Sequence, residues 1–181
     1  MSIGIRNLTL SALFIAIGLV LPFLIGQIPQ IGRILLPLHI PVFLCGFICG
    51  WREGMLVGFI LPLLRSLLFG MPVFMPMAAS MAFELAVYGF ITGILFPRLP
   101  YRTTVSVIIT ALTATIIGRI VYGAAAWLFW RLNGDVFTAK IFLVGAVLQP
   151  IPGTIIQLIL FTAIISALDK ANMLPSREKR E

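Results

Sequence analysis

The 181-residue chain is 60% hydrophobic and only 10% charged, with a mean hydropathy of +1.11. Soluble domains do not carry so much apolar material; the composition is that of a polytopic membrane protein, with room for about six helices and no separate soluble domain. The formal net charge of +7 does not signal nucleic acid, because the basic residues are scattered at helix ends and form no patch on one soluble face.

Six spans are predicted in chain order, at residues 8–27, 38–50, 54–70, 77–96, 103–130 and 141–168. The fold class is an all-α membrane protein, one domain of six transmembrane helices over residues 1–181. No small-residue cleavage site follows a short apolar core, so the first span reads as retained and not as a removable signal. Ser11, Ala12 and Ala16 place small side chains on one of its faces, a step that lets another helix approach closely. Pro22 is expected to bend its outer end. Residues 27–38 contain Pro29, Gly32, Arg33 and Pro37 and read as a loop, unusually apolar and therefore expected to pack over something.

The second span begins with His39 and Pro41. Cys45 and Cys49 read as two small buried residues, since a redox or metal site needs further ligands and none lies nearby. Trp51-Arg52-Glu53 is predicted to be a tight turn, followed by a third span broken by Pro62 and carrying Arg65. Gly46, Gly50, Gly54 and Gly58 run at four-residue spacing through this turn, which close packing of the two helices explains. Residues 71–76, MPVFMP, are a second apolar loop.

The fourth span carries a single charge, Glu84. A carboxylate there costs roughly 2.5–3.5 kcal/mol on insertion scales, so a partner cation, a water-filled cavity or a polar ligand must compensate. Ser80, Glu84 and Tyr88 follow at four-residue spacing and share one helix face. The fifth span holds Thr110, Thr113, Arg119 and Tyr122, with Trp127 and Trp130 near its outer boundary as interfacial anchors. Asn133-Gly134-Asp135 marks a turn. The sixth span holds Gln149 and is interrupted at Pro150 and Pro152-Gly153. The charged tail from Asp169 is expected to fray.

Lys and Arg fix the predicted orientation. One set of ends carries Arg6, Arg52, Arg98, Arg102, Lys170, Arg177, Lys179 and Arg180; the other carries Arg33, Arg131 and Lys140. The richer set belongs in the cytoplasm, and with it both termini. At 1.5 Å per residue, Arg65 then lies roughly 8 Å from the outer end of its span, Glu84 and Gln149 roughly 12 Å, and Arg119 roughly 16 Å. His39 stays near the outer surface. The outer half of the membrane thus collects polar groups, while the inner half is almost purely apolar.

Two readings of that cluster stand side by side. In one it lines an outward-facing pocket for a small polar molecule; in the other, ion pairs of Glu84 with Arg65 or Arg119 merely tie helices together. Two arginines against one glutamate leave a cation free for a ligand carboxylate, phosphate or polarised carbonyl. His39 fits a capping or loop-packing role at least as well as ligand contact. Prolines beside the cluster suit backbone that lines a cavity, or a plain kink. No phosphate-binding GxxxxGK[ST], HExxH or GxSxG sequence occurs. An intramembrane enzyme built on His39, Glu84 and a thiol lacks triad spacing, and a structural scaffold such as a cell-shape protein is the main competing class.

The chain resembles the substrate-binding S components of energy-coupling factor (ECF) vitamin transporters. The resemblance rests on six spans in about 180 residues, the first-span step Ala12-Leu-Phe-Ile-Ala16, and the block LHIPVFLCGFICG…GMLVGFILPLLRSLLFG followed by MAFELAVYG. It implies a subunit of a prokaryotic plasma membrane that captures a water-soluble vitamin or precursor from outside, with the loops at 27–38 and 71–76 as lids. It further implies docking through Ala12 and Ala16 on a transmembrane coupling subunit that carries two ATPase subunits, toppling of the whole S component, and no catalysis, cofactor or metal in this chain. Arg65, Glu84, Tyr88, Arg119, Tyr122, Gln149 and His39 would form the substrate site. An excess arginine suits an anion such as pantothenate; Glu84 instead suits the nitrogen base or hydroxyls of a cobalamin precursor or a pyridoxine-like ring.

Overall fold

A computed structural model describes residues 3–25, 36–99, 104–132, 134 and 151–171. Among the described residues the chain is helical with no strands. Six α-helices follow one another among these residues: α1 (Ile3–Ile25), α2 (His39–Cys49), α3 (Trp51–Phe69), α4 (Ala79–Arg98), α5 (Thr104–Leu132) and α6 (Ile151–Lys170). Residues 27–35 of the first predicted lid, Gln149 and Pro150, and the tail beyond residue 171 lie outside the described residues.

Among the described residues four stretches are long and apolar enough to cross a membrane by themselves: Gly4–Leu24, Phe74–Arg98, Thr104–Leu132 and Ile151–Lys170. The apolar α2 is shorter, with 11 residues. Large apolar side chains such as Leu8, Leu24, Ile116, Ile120 and Ile159 point outward from these helices. A bilayer makes that arrangement stable, because lipid tails are as apolar as the side chains they meet. Trp127 is exposed near the end of α5 with Arg131 stacked over its ring at 5.3 Å. Trp51 carries Arg52 in the same way at 5.1 Å, as suits residues at a membrane boundary.

α4 stands at the centre, packed against α2, α3 and α5; α1 lies on α2 and α3, and α6 on α5 and α2. Glycines explain the central position. A Cβ on Gly89 would run into the backbone of Gly54, and one on Gly93 into the backbone of Trp51. Gly46 and Gly58 likewise meet Thr92 and the Leu85 carbonyl of α4. The glycine series therefore does more than pair α2 with α3. It draws both onto α4, whose own Gly89 and Gly93 answer it, a partnership that spacing within one segment cannot reveal.

Three boundary expectations change. The turn after α2 is the single residue Gly50 at φ 105°, a conformation that favours glycine, and Trp51, Arg52 and Glu53 already belong to α3. α3 runs unbroken through the buried Pro62. The loop expected at 71–76 reaches Met75, whose backbone is extended at φ −116° and ψ 132°; beyond that kink the chain winds directly into α4. The Ala78 N–H donates to the Val73 carbonyl at 2.9 Å, and the Ser80 hydroxyl to the Pro76 carbonyl at 2.7 Å.

α1 also divides differently from its small-residue pattern. Ser11 turns inward, its hydroxyl 3.9 Å from the Cys45 sulfur, together with Phe14 and Gly18. Ala12 and Ala16 face outward beside Leu13, Ile17 and Val20. Cys45 and Cys49 are both buried, as expected of small core residues.

Candidate functional site

The four-residue spacing on α4 sets the site. Ser80, Glu84 and Tyr88 are all buried on the side of α4 that meets its neighbours, with Glu84 only 1% exposed. The Tyr88 hydroxyl donates to Glu84 Oε1 at 2.6 Å. The Arg119 guanidinium meets the same oxygen through Nη1 at 2.9 Å. One carboxylate oxygen thus joins two helices by charge-assisted hydrogen bonds, the strong kind where water is scarce. Arg119 can reach because its neighbour is glycine: a Cβ on Gly118 would overlap the Tyr88 ring, so α5 lies tight against α4. Tyr122, one turn further along α5, is half-buried on the same stretch of the helix.

α2 contributes His39 and Phe43. The His39 backbone N–H bonds the Leu36 carbonyl at 3.0 Å at the start of the helix. Its ring is 2% exposed and lies 5.4 Å from the Tyr88 ring, tilted by 47°. Neither ring nitrogen has a hydrogen-bond partner among the described residues. One turn on, Phe43 packs against Tyr88 at 4.9 Å and against Phe161 of α6 at 4.9 Å, closing an aromatic wall across three helices.

Arg65 goes elsewhere. Its guanidinium donates to the Leu19 carbonyl of α1 at 2.9 Å and stacks over Phe23 at 5.0 Å and Phe69 at 5.5 Å. It fastens the end of α3 to the end of α1, while Glu84 takes Arg119. Of the expected site residues, Glu84, Tyr88, Arg119, Tyr122 and His39 come together, Arg65 stands apart, and Gln149 lies outside the described residues. Thr110 is buried about 13 Å along α5 from Arg119, at 1.5 Å per residue, and is not part of this group.

Sequence reasoning missed two participants. Phe43 carried no polar signal. Gln157 of α6 did: it is buried within an apolar span, and its Nε2 donates to the Leu36 carbonyl at 3.4 Å, next to His39. The argument that singled out Gln149, an amide inside a membrane helix, applies equally to it.

The chain matches the family described as ECF transporter, substrate-specific component, over residues 6–167. It therefore belongs to that family. No curated protein and no solved structure matches it. Family and apolar helices together make it a multi-pass membrane protein. As the substrate-specific component of an ECF transporter, it takes a small-molecule substrate and works with an ECF module.

Proposed function

We propose that this chain is the high-affinity binding subunit of an ECF-type importer, which captures a water-soluble vitamin or vitamin precursor outside the cell and delivers it by docking on an energy-coupling module. The chain crosses a prokaryotic plasma membrane six times with both termini in the cytoplasm. It binds but does not catalyse; ATP is hydrolysed by two partner subunits carried on a transmembrane coupling subunit. The observation that carries this reading is the Glu84–Arg119–Tyr88 cluster, buried within helices that cross a membrane. Ionisable groups at that depth are costly and mark substrate sites by default. Ala12 and Ala16, outward-facing on α1, form the docking face. The segments at 27–38 and 71–76 cover the bound molecule, the second through the Phe74–Ala78 turn that runs into α4.

The test is a thermal-shift screen of the detergent-purified protein against water-soluble vitamins and their precursors. A ligand at 100 times its Kd stabilises the folded state by roughly 2.7 kcal/mol, well within detection. A shift with one compound supports the reading and names the substrate. A flat response across a broad panel overturns it.

A further inference from the structure

We infer that the molecule this site takes carries no net charge and presents a hydroxyl, amide or ring nitrogen to His39. The inference rests on the substrate-binding reading above and narrows its substrate class. Ten charged residues are described, and seven of them (Arg6, Arg52, Glu53, Arg98, Arg131, Asp169 and Lys170) stand in the first or last turn of a helix. The three in helix interiors are Arg65, Glu84 and Arg119. Arg65 is fastened to the Leu19 carbonyl between Phe23 and Phe69. Glu84 and Arg119 face each other at 2.9 Å. Among the described residues the site therefore holds one negative and one positive charge, already joined, and the Tyr88 hydroxyl further satisfies the carboxylate.

A charged ligand would upset that balance. An anion set beside the pair leaves a buried net negative charge, and a cation leaves a positive one. In a low-dielectric interior either excess costs more than the extra hydrogen bonds return. A molecule that is neutral, or that carries equal and opposite charges, avoids the penalty. The anion expected from pairing Arg65 and Arg119 against Glu84 is thereby redirected, because Arg65 is held at Leu19 and not in the site.

His39 supplies the recognition. A buried polar group without a partner is rare and calls for an explanation. Neutral imidazole offers one donor and one acceptor, and exchange of tautomers lets either nitrogen take either role. The ring sits beside Tyr88 with the Leu36 carbonyl near it, and neither nitrogen makes a hydrogen bond of good geometry among the described residues. A ligand hydroxyl, amide or ring nitrogen that reaches one of them gains a hydrogen bond without displacing an existing one.

The experiment is a set of matched compounds applied to the purified full chain in detergent: nicotinamide and nicotinate, pantothenol and pantothenate, riboflavin and its 5′-phosphate, with thiamine as a cation. The expected result is stabilisation by an uncharged member of a pair and none by its charged partner at the same concentration. Replacing His39→Phe should then weaken that compound by about tenfold or more, the loss of one buried hydrogen bond, and His39→Gln should recover most of it. Glu84→Gln should turn preference toward the anionic member, because Arg119 is left without its carboxylate. If a charged member stabilises the unaltered protein as well as or better than its neutral partner, the inference is overturned while the binding function stands. If His39→Phe binds as tightly as the parent, the recognition role is overturned. A chain stabilised by no compound overturns the binding reading and this inference with it. Should a variant fail to fold, the paired comparison on the unaltered chain still decides.

Discussion

Glu84 and Arg119 sit on different helices, thirty-five residues apart in sequence, and meet at 2.9 Å on an oxygen that also accepts the Tyr88 hydroxyl. Removing one partner of a buried pair leaves an uncompensated charge, at a cost of about 3–5 kcal/mol. Arg119→Ala should therefore lower thermal stability sharply. The double change Glu84→Gln with Arg119→Gln should recover most of the loss, since two neutral amides leave no buried charge. Melting curves of the single and double variants in one detergent check this. A double variant as unstable as Arg119→Ala would show that packing, and not charge balance, dominates there.

Gly89 lies so close to Gly54 that no side chain fits between them. Gly89→Ala should destabilise by about 1–3 kcal/mol, the usual cost of overpacking. Gly4→Ala is the natural control: nothing lies within 4 Å of an added Cβ there. Gly4 stands in the first turn of α1, where alanine's advantage over glycine is below the roughly 0.5–1 kcal/mol of a helix interior, so that change should be close to neutral. The melting temperature should fall for Gly89→Ala and hold for Gly4→Ala.

Arg65 holds α1 to α3 through the Leu19 carbonyl. A hydrogen bond to a charged group contributes about 1.5–3 kcal/mol. Arg65→Ala should loosen the Leu19–Leu24 end of α1, read as faster amide hydrogen exchange there, while substrate affinity stays the same. A large fall in affinity would bring Arg65 back into the binding site.

Ala12 and Ala16 face away from the rest of the bundle. Replacing either with Leu should leave stability within about 0.5 kcal/mol, as for surface changes generally. Ligand binding should also persist, while co-purification with the coupling module and uptake are lost. Binding that falls in step with uptake would refute the docking assignment.

Much of this architecture could be read from the chain. The apolar spans, the inward face of α4 and the burial of Cys45 and Cys49 follow from composition and from helical spacing. What spacing cannot supply is the identity of the neighbour. Ser80, Glu84 and Tyr88 announce one face, but whether Arg65 or Arg119 meets it depends on how α3 and α5 are rotated against α4. That rotation is set by Gly58, Gly89 and Gly118, whose partners are distant in sequence. Ser11 and Ala12 show the same limit: adjacent small residues look alike on paper, yet one bonds toward a sulfur in the core and the other faces outward. Gly50 absorbs the whole turn before α3 because its φ of 105° reverses the chain in one residue, which a three-residue reading does not anticipate.

The charged site and the glycine seam adjoin along α4, with Tyr88 next to Gly89, and two kinds of contact share one helix. Near Gly89 and Gly93, backbone rests on backbone, and the shape admits no substitution that adds bulk. Around Glu84 the polar contact is made by the tips of side chains, and a change of tips that keeps the buried charge balanced leaves the backbone packing in place. The molecule can therefore be respecified at its polar end without being rebuilt. Exchanging a few side chains at 39, 84, 119 and 122 would present a different cargo to the same rigid body, and through it to the same transport machinery.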